Sequence, residues 1–511
     1  MNRTRCLALA FVLSSLAPLV FAASRQEARS ADPPLTIENV TIVDTAGGPL
    51  QTNMTVAISA GRIETIAKTG FRHKLRKREL VIDGRGKYLI PGLWDMHTHI
   101  AGVSAKPEWS SHVLIPLLIA NGTTGIRDMG GDLDALESWR REIENGQMIG
   151  PSIVAAGPML LQARSSGAPP AHADPAVLRV GTMGEARAAV DSLQKRGADF
   201  IKVIQLSREE YFAVAAEAKR DGIPFAGHIP TRVGAIEASN AGQKSVEHII
   251  YSSLAFDCSS KEEELRQRGL DAAARGDEQA VADATDEANR TFSPEKAAAL
   301  WSTFRRNGTW VTPTLFTIRV NAHRLEDSPN DPQLAYLPTA LRKEWELPRS
   351  PAQDDRDTSA WWERQFENDR KLAGEMHRAG VRLLAGSDAL DRYVFVGIGL
   401  HEELKQLVGA GLAPLEALQA ATRNPADFLG RNDSGIIAAG NRADLVLFDA
   451  NPLEDIANTR RISSVVLKEK YLSRVKLDSM LSSARAAAAA VPPGARLSLI
   501  PFHAAMANAK D

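Results

Sequence analysis

Between residues 89 and 388 the chain alternates short apolar, β-branched runs with amphipathic or Ala-rich stretches, and this alternation constrains the fold more than any other feature. Eight candidate strands fall at 89–97, 123–130, 152–158, 199–205, 223–229, 245–250, 309–316 and 381–388. Helical patterns such as 186–195, 209–220 and 400–408 separate most of them. Strands that alternate with helices run parallel. Eight such units predict an α/β fold closed into a (β/α)8 barrel of the TIM type, with its chemistry at the C-terminal ends of the strands.

The flanks have a different texture. Residues 35–90 carry β-branched runs punctuated by Gly47-Gly48 and Gly61-Arg62, and a second strand-rich stretch follows the barrel at 431–475. Each alone would leave open strand edges, so the two are expected to pair into one small sheet domain around the barrel of 91–430. Two stretches, 255–292 and 318–360, break the barrel rhythm after late strands, where they can roof a site. The last segment, 476–511, reads as an Ala-rich helix or tail without chemistry.

Composition bounds the function. Apolar residues make up 44% and charged residues 24% of 511, the balance of a folded globular chain. The net charge of −1 excludes a general electrostatic affinity for nucleic acid. Arg3 and Arg5, the apolar run 6–22 and Val20-Phe21-Ala22 form the pattern of a secretory signal peptide over 1–22. The expectation is export to a periplasm or the exterior, with no stable membrane anchor after cleavage. Cleavage leaves Cys258 as the one cysteine, read as a buried or idle thiol.

The ends of the candidate strands carry the chemistry. The first ends Asp95-Met96-His97-Thr98-His99, and residues i and i+2 of a strand point the same way, so two imidazoles can reach one metal ion. An exposed turn explains a lone His-x-His equally well. The fourth ends Phe200-Ile201-Lys202-Val203; a lysine there either snorkels to the surface or has become a carbamate able to bridge two ions. The fifth and sixth end in His228 and His248, and the eighth in Asp388, which either caps a helix or binds metal and moves a proton. Four histidines, a lysine and an aspartate on one rim point to a metal site.

The run Pro91-Gly92-Leu93-Trp94-Asp95-Met96-His97-Thr98-His99 resembles the opening motif of the amidohydrolase superfamily of metal-dependent hydrolases. The spacing of Lys202, His228, His248 and Asp388 is similar to that of its two-metal members, and so are the stretches 411–418, 421–426 and 440–446. The likeness runs from about residue 35 to 470 and looks nearest to the imidazolonepropionase-like and prolidase-like secreted branch. It implies a barrel with a small β-sandwich built from both chain ends. It also implies two divalent ions, zinc with manganese, cobalt or nickel as alternatives. His97, His99 and Asp388 would hold one ion and His228 and His248 the other, bridged by a carbamate on Lys202; a single ion held by the histidines and Asp388 is the alternative. The implied reaction is hydrolysis of an amide of a small molecule, peptide-like or N-acyl amino acid, with Asp388 as general base and then general acid.

Tyr251, Arg127, His323 and Arg392 lie near predicted strand ends or on the following loops and are candidate substrate contacts. Arg127 or Arg392 can pair with a substrate carboxylate, or each can form a surface or barrel-wall salt bridge. Hydrolysis of a lactone, an ester or a xenobiotic or toxin amide fits the same residues, as does a non-catalytic secreted metal-binding barrel. The sequence is compatible with a homo-oligomer. It contains no Gly-x-Ser-x-Gly for a serine hydrolase, and Gly397-Ile398-Gly399 lacks the rest of a dinucleotide fingerprint.

Overall fold

The structure is a computed structural model that describes residues 33–70, 76, 78–104, 107–163, 175–327, 331–346, 356–493 and 498–499. The segment read as a signal peptide lies outside the described residues. From Pro33 onward the chain forms one unit.

The two flanking β segments meet in one sheet of eight strands. Its order is Lys470–Ser473, Ile462–Leu467, Leu445–Phe448, Tyr88–Pro91, Leu35–Ile42, Gln51–Ser59 and Arg62–Lys68, with Leu80–Asp83 paired on Leu35–Ile42. The join between chain ends is antiparallel, with Leu445 opposite Pro91 and Phe448 opposite Tyr88. Leu35, Ile37, Val56, Ile58, Leu89, Leu447 and Val466 bury together against it. Hydrogen bonding runs through one continuous sheet shared by both chain ends.

The parallel strands follow the sequence pattern but are shorter than expected. Leu93–Thr98, Thr123–Asp128 and Ser152–Ala155 form one sheet. Ile201–Val203, Phe225–Gly227, Ser245–Glu247 and Trp310–Thr312 form another, extended at one edge by Met159–Gln162 and Val177–Val180. The expected single strand over 152–158 breaks at Gly157, whose φ of +70° turns the chain and starts Met159–Gln162. The expected eighth strand over 381–388 is not a regular strand. It joins its neighbours through isolated bridges, Val311 to Leu383 and Thr98 to Ala389. Asp388 sits at φ +59°, which ends the extended conformation. Backbone bonds nevertheless run on both sides of this segment: Leu384 N–H donates to Val311 O at 2.9 Å, and Met96 N–H donates to Ala385 O at 2.9 Å. Across the other gap, Asp199 N–H donates to Ala155 O at 2.9 Å.

Both irregular stretches are largely helical. The first contains Leu254–Asp257, Glu262–Arg275 and Glu278–Arg290, with Phe256, Leu265, Ala284 and Ala288 in a small core of their own. The second contains Leu315–Asp327, Pro332–Tyr336 and Thr339–Glu346 and leads into the long helix Arg356–Arg378. Near the C-terminus Arg474–Ala490 is a helix packed on Ile115–Ala120. Among the described residues no helix is long and apolar enough to cross a membrane.

Candidate metal centre

Short β-branched runs such as Ile201-Lys202-Val203 fit a pleated, fully buried position. Where each run ends, the chain turns and aims a polar side chain at a common point. The turns are strained. His248 and Asp388 have φ of +61° and +59°, and Gly227, just before His228, has φ of +135°. Non-glycine residues in this region are uncommon and persist where surrounding structure imposes them.

His97, His99, His228, His248, Lys202 and Asp388 are all buried. Asp388 Oδ1 lies 3.3 Å from His97 Nε2 and 3.4 Å from His99 Nε2. Asp388 Oδ2 lies 3.9 Å from His248 Nδ1. The rings of His97 and His248 are 4.7 Å apart, and those of His228 and His248 are 4.9 Å apart. Donor atoms of His97, His248 and Asp388 fall within 4.8 Å of one another.

The hydrogen bonds of the first pair of imidazoles decide where their protons sit. His97 Nδ1 is 3.0 Å from Glu247 Oε2, and His99 Nδ1 is 3.0 Å from Gly130 O. A carbonyl can only accept. Burial acts to raise the Glu247 pKa, but the charges of Arg127 and Lys202 hold it below its ordinary value, so it too accepts. Both imidazoles therefore donate from Nδ1, and their Nε2 lone pairs face the Asp388 oxygen. Burial, helped for His97 and His248 by neighbouring positive groups, holds the imidazoles neutral: His99 falls to about 4, and His97, His228 and His248 lie well below the ordinary value. Two lone pairs and a carboxylate oxygen converging in a buried pocket repel one another until a cation sits among them. Neutral imidazoles whose other nitrogen donates to a carboxylate or carbonyl are the arrangement that binds metal.

Two further polar atoms lack a partner here. Lys202 Nζ and His228 Nδ1 are buried without a hydrogen bond. Burial pulls the Lys202 amine down to about 8, against the opposing pull of Glu247 and Asp388. Asp95 holds the rim together from below. Its Oδ1 accepts from Ser387 N–H at 2.9 Å and His97 N–H at 3.2 Å, and its Oδ2 from the Ser387 hydroxyl at 2.5 Å. Thr314 Oγ1 meets His248 Nδ1 at 2.6 Å.

The four candidate substrate contacts separate. Tyr251 is at the site: its ring stacks on His228 at 6.1 Å and meets His248 edge-on at 5.2 Å. Arg127 is 1% exposed and donates to Met96 O, Ser245 Oγ, Glu247 Oε1 and Thr312 Oγ1, the arrangement of the barrel-wall ion pair that was its alternative. His323 sits at a kink in its helix with Nε2 on Glu363 at 2.9 Å, in a half-exposed surface pair. Arg392 is half-buried beside Asp391 and close enough to Glu344 to act on its charge. The sequence reading did not single out Glu247, Thr314 or Asp369. Glu247 shares a strand face with Ser245, a signal that an inward-facing acid precedes His248.

A cavity of about 820 Å3 opens beside Tyr251, bounded by Phe256, Leu270, Val281, Trp361, Trp362 and Asp369. The first irregular stretch and the helix Arg356–Arg378 thus contribute walls next to the histidine cluster. Cys258 is a free, buried thiol that burial pushes well up, consistent with an idle residue.

Comparison with known proteins adds a family to this geometry. An ochratoxinase of Aspergillus niger is 24% identical over 465 residues, covering 80% of both chains. An adenine deaminase of Ligilactobacillus salivarius is 40% identical over 90 residues, which span 17% of this chain and 15% of that protein. Among solved structures, a putative prolidase from Bifidobacterium longum superposes with a TM-score of 0.64 at 24% identity, covering 89% of this chain and 99% of that one. A bottromycin amidohydrolase superposes at 0.66, also at 24% identity, covering 91% and 93%. The profile described as Amidohydrolase family matches residues 88–471, a span that contains every histidine, lysine and aspartate of the cluster. The chain belongs to the amidohydrolase family.

Proposed function

We propose that the chain is a metal-dependent hydrolase that cleaves an amide bond, peptide-like or of an N-acyl amino acid, in a small molecule. The observation that carries this reading is the convergence of the His97 and His99 Nε2 lone pairs on Asp388 Oδ1, with His228, His248 and Lys202 around them. Relatives and neighbours named ochratoxinase, prolidase and bottromycin amidohydrolase support hydrolysis. The backbone bonds across both gaps between the parallel sheets support a closed barrel as the frame.

The residues fit two divalent ions, zinc by their nitrogen and oxygen donors. His97, His99 and Asp388 would hold one, and His228 and His248 the other. Lys202 would bridge them as a carbamate: its neutral amine bonds to the carbon of carbon dioxide and loses one proton, giving an orphaned buried atom an anionic role. Bound divalent ions supply Lewis-acid polarisation of a carbonyl and lower the pKa of water to about 7. Asp388 takes the proton of the attacking water and returns it to the leaving nitrogen. Glu247 and Gly130 O keep His97 and His99 in the tautomer that presents Nε2. Tyr251 forms the wall past which the substrate enters, and the roofing helices exclude water. The 6–22 run supports export of the mature enzyme.

The test is a screen of dipeptides and N-acyl amino acids with metal-loaded protein. Hydrolysis is expected, and Asp388→Asn should lower turnover at least about 100-fold with metal retained. Stoichiometric metal with no hydrolysis of any amide, ester or lactone would instead favour a binding protein.

A further inference from the structure

The cavity beside the histidine cluster has a chemistry of its own. Trp361, Trp362, Gln365 and Asp369 fall at helical spacing on the face of Arg356–Arg378 that lines it. The Trp362 ring lies 6.4 Å from Tyr251 and the Trp361 ring 4.9 Å from Trp362, so three aromatic rings lead away from the cluster. At the inner end sits Asp369, 3% exposed. Its carboxyl accepts one hydrogen bond, from Ile250 N–H at 3.3 Å, and no cationic side chain pairs with it among the described residues. Burial without a counter-charge holds this carboxyl well above the ordinary carboxylate range, so an arriving cation is what would favour its ionised form.

Among the described residues one arginine lines this cavity, and it is already neutralised. Arg364 donates to Asp286 Oδ2 from Nε at 3.2 Å and from its terminal nitrogen at 2.8 Å, while Gln365 donates to Asp286 Oδ1 at 2.7 Å. The other titratable groups at the wall, among the described residues, are acidic, Asp369 and Glu278. Aromatic faces around an uncompensated carboxyl select positive charge, through the ring quadrupole and the ion pair together.

We infer that this cavity, walled by Tyr251, Trp361, Trp362 and Asp369, is a subsite for a cationic nitrogen group, an alkylammonium or guanidinium, carried by the amide substrate. The inference rests on the proposed hydrolase reading and gives its substrate a charge. The substituent next to the scissile bond passes Tyr251, lays its alkyl stem against Trp362, and places its cation on Asp369 beside Ile250. An anionic group of the same length would be set against the Asp369 carboxyl and is disfavoured relative to the cation.

The test compares one amide scaffold carrying lysine, norleucine or glutamate at the same position, with the full-length metal-loaded protein. Lysine is expected to exceed norleucine in kcat/KM by about 30-fold or more, as for a desolvated charge pair. Asp369→Asn preserves the Ile250 contact and should collapse the lysine-to-norleucine ratio. Independently of turnover, hexylammonium should perturb tryptophan fluorescence at concentrations where hexanol does not. Equal rates for lysine and norleucine, or equal response to hexylammonium and hexanol, would overturn the subsite. Hexylammonium binding with no amide hydrolysed would overturn the hydrolase reading and leave the cation subsite standing.

Discussion

The position of single protons governs the site. His97 presents a lone pair inward because Glu247 takes its Nδ1–H, and Glu247 stays ionised because the charges of Arg127, which donates to its other oxygen at 2.7 Å, and Lys202 oppose its burial. Glu247→Gln therefore has two expected effects. Metal affinity, measured by chelator competition, should fall 10- to 100-fold, the usual cost of losing a carboxylate behind a ligating imidazole. Stability should fall by about 3 kcal/mol in denaturant titration, because Arg127 is left buried without its counter-charge. Unchanged affinity would remove the His97–Glu247 contact from the account. Part of this chain of contacts is readable in the sequence. Asp95 precedes His97 by two residues and so shares its face. The Arg127–Glu247 pair is not readable, because 120 positions separate two residues that only the closing of the strands brings together. That is why Arg127 resembles a substrate clamp in one dimension and proves to be a wall residue in three.

At the scale of elements, close backbone approach aims the side chains. Gly227 ends its strand at φ +135°, and a Cβ there would lie 2.0 Å from Val203 O. The same carbonyl accepts from His228 N–H at 3.0 Å. Gly227→Ala is expected to cost at least about 3 kcal/mol and to displace His228, through both steric conflict and a conformation that L residues rarely adopt. Thermal unfolding with metal analysis checks this, and wild-type stability with full metal content would contradict it. Strand existence was legible from apolar runs bounded by glycine and proline. Strand length was not, because it depends on where residues such as Gly157 and Asp388 leave the extended region. The last parallel segment shows this most clearly: its sequence reads as a strand, yet Gly386-Ser387-Asp388 spends its backbone and side chains on Asp95 and His97.

Across the whole molecule, the two ends of the chain are tied to the parallel strands by buried polar contacts as well as by the shared sheet. His401, on the helix Ile398–Gly409, donates from Nε2 to Asn121 O at 3.0 Å and meets Thr459 Oγ1 with Nδ1 at 3.0 Å. Burial lowers its pKa to about 4, against about 6.5 in an unfolded chain. The unfolded state takes up the proton first. The stabilisation is thus complete above pH 6.5 and is lost as pH falls toward 4, amounting to about 3 kcal/mol. Comparing denaturant unfolding of wild type and His401→Gln at pH 7 and pH 4.5 isolates this share: the wild type should lose more stability on acidification. A likeness in their pH response would contradict it. Pairing of the two chain ends was legible because each left open edges. The cavity walls were not, since Trp361-Trp362 gains meaning only when its helix faces Tyr251. The most direct measurement of the central claim is metal stoichiometry by mass spectrometry after loading with zinc and dialysis. Wild-type protein should retain about two ions per chain, and a His97→Ala/His248→Ala double variant that remains folded should retain fewer. Equal metal in both proteins, or none in the wild type, would contradict the account.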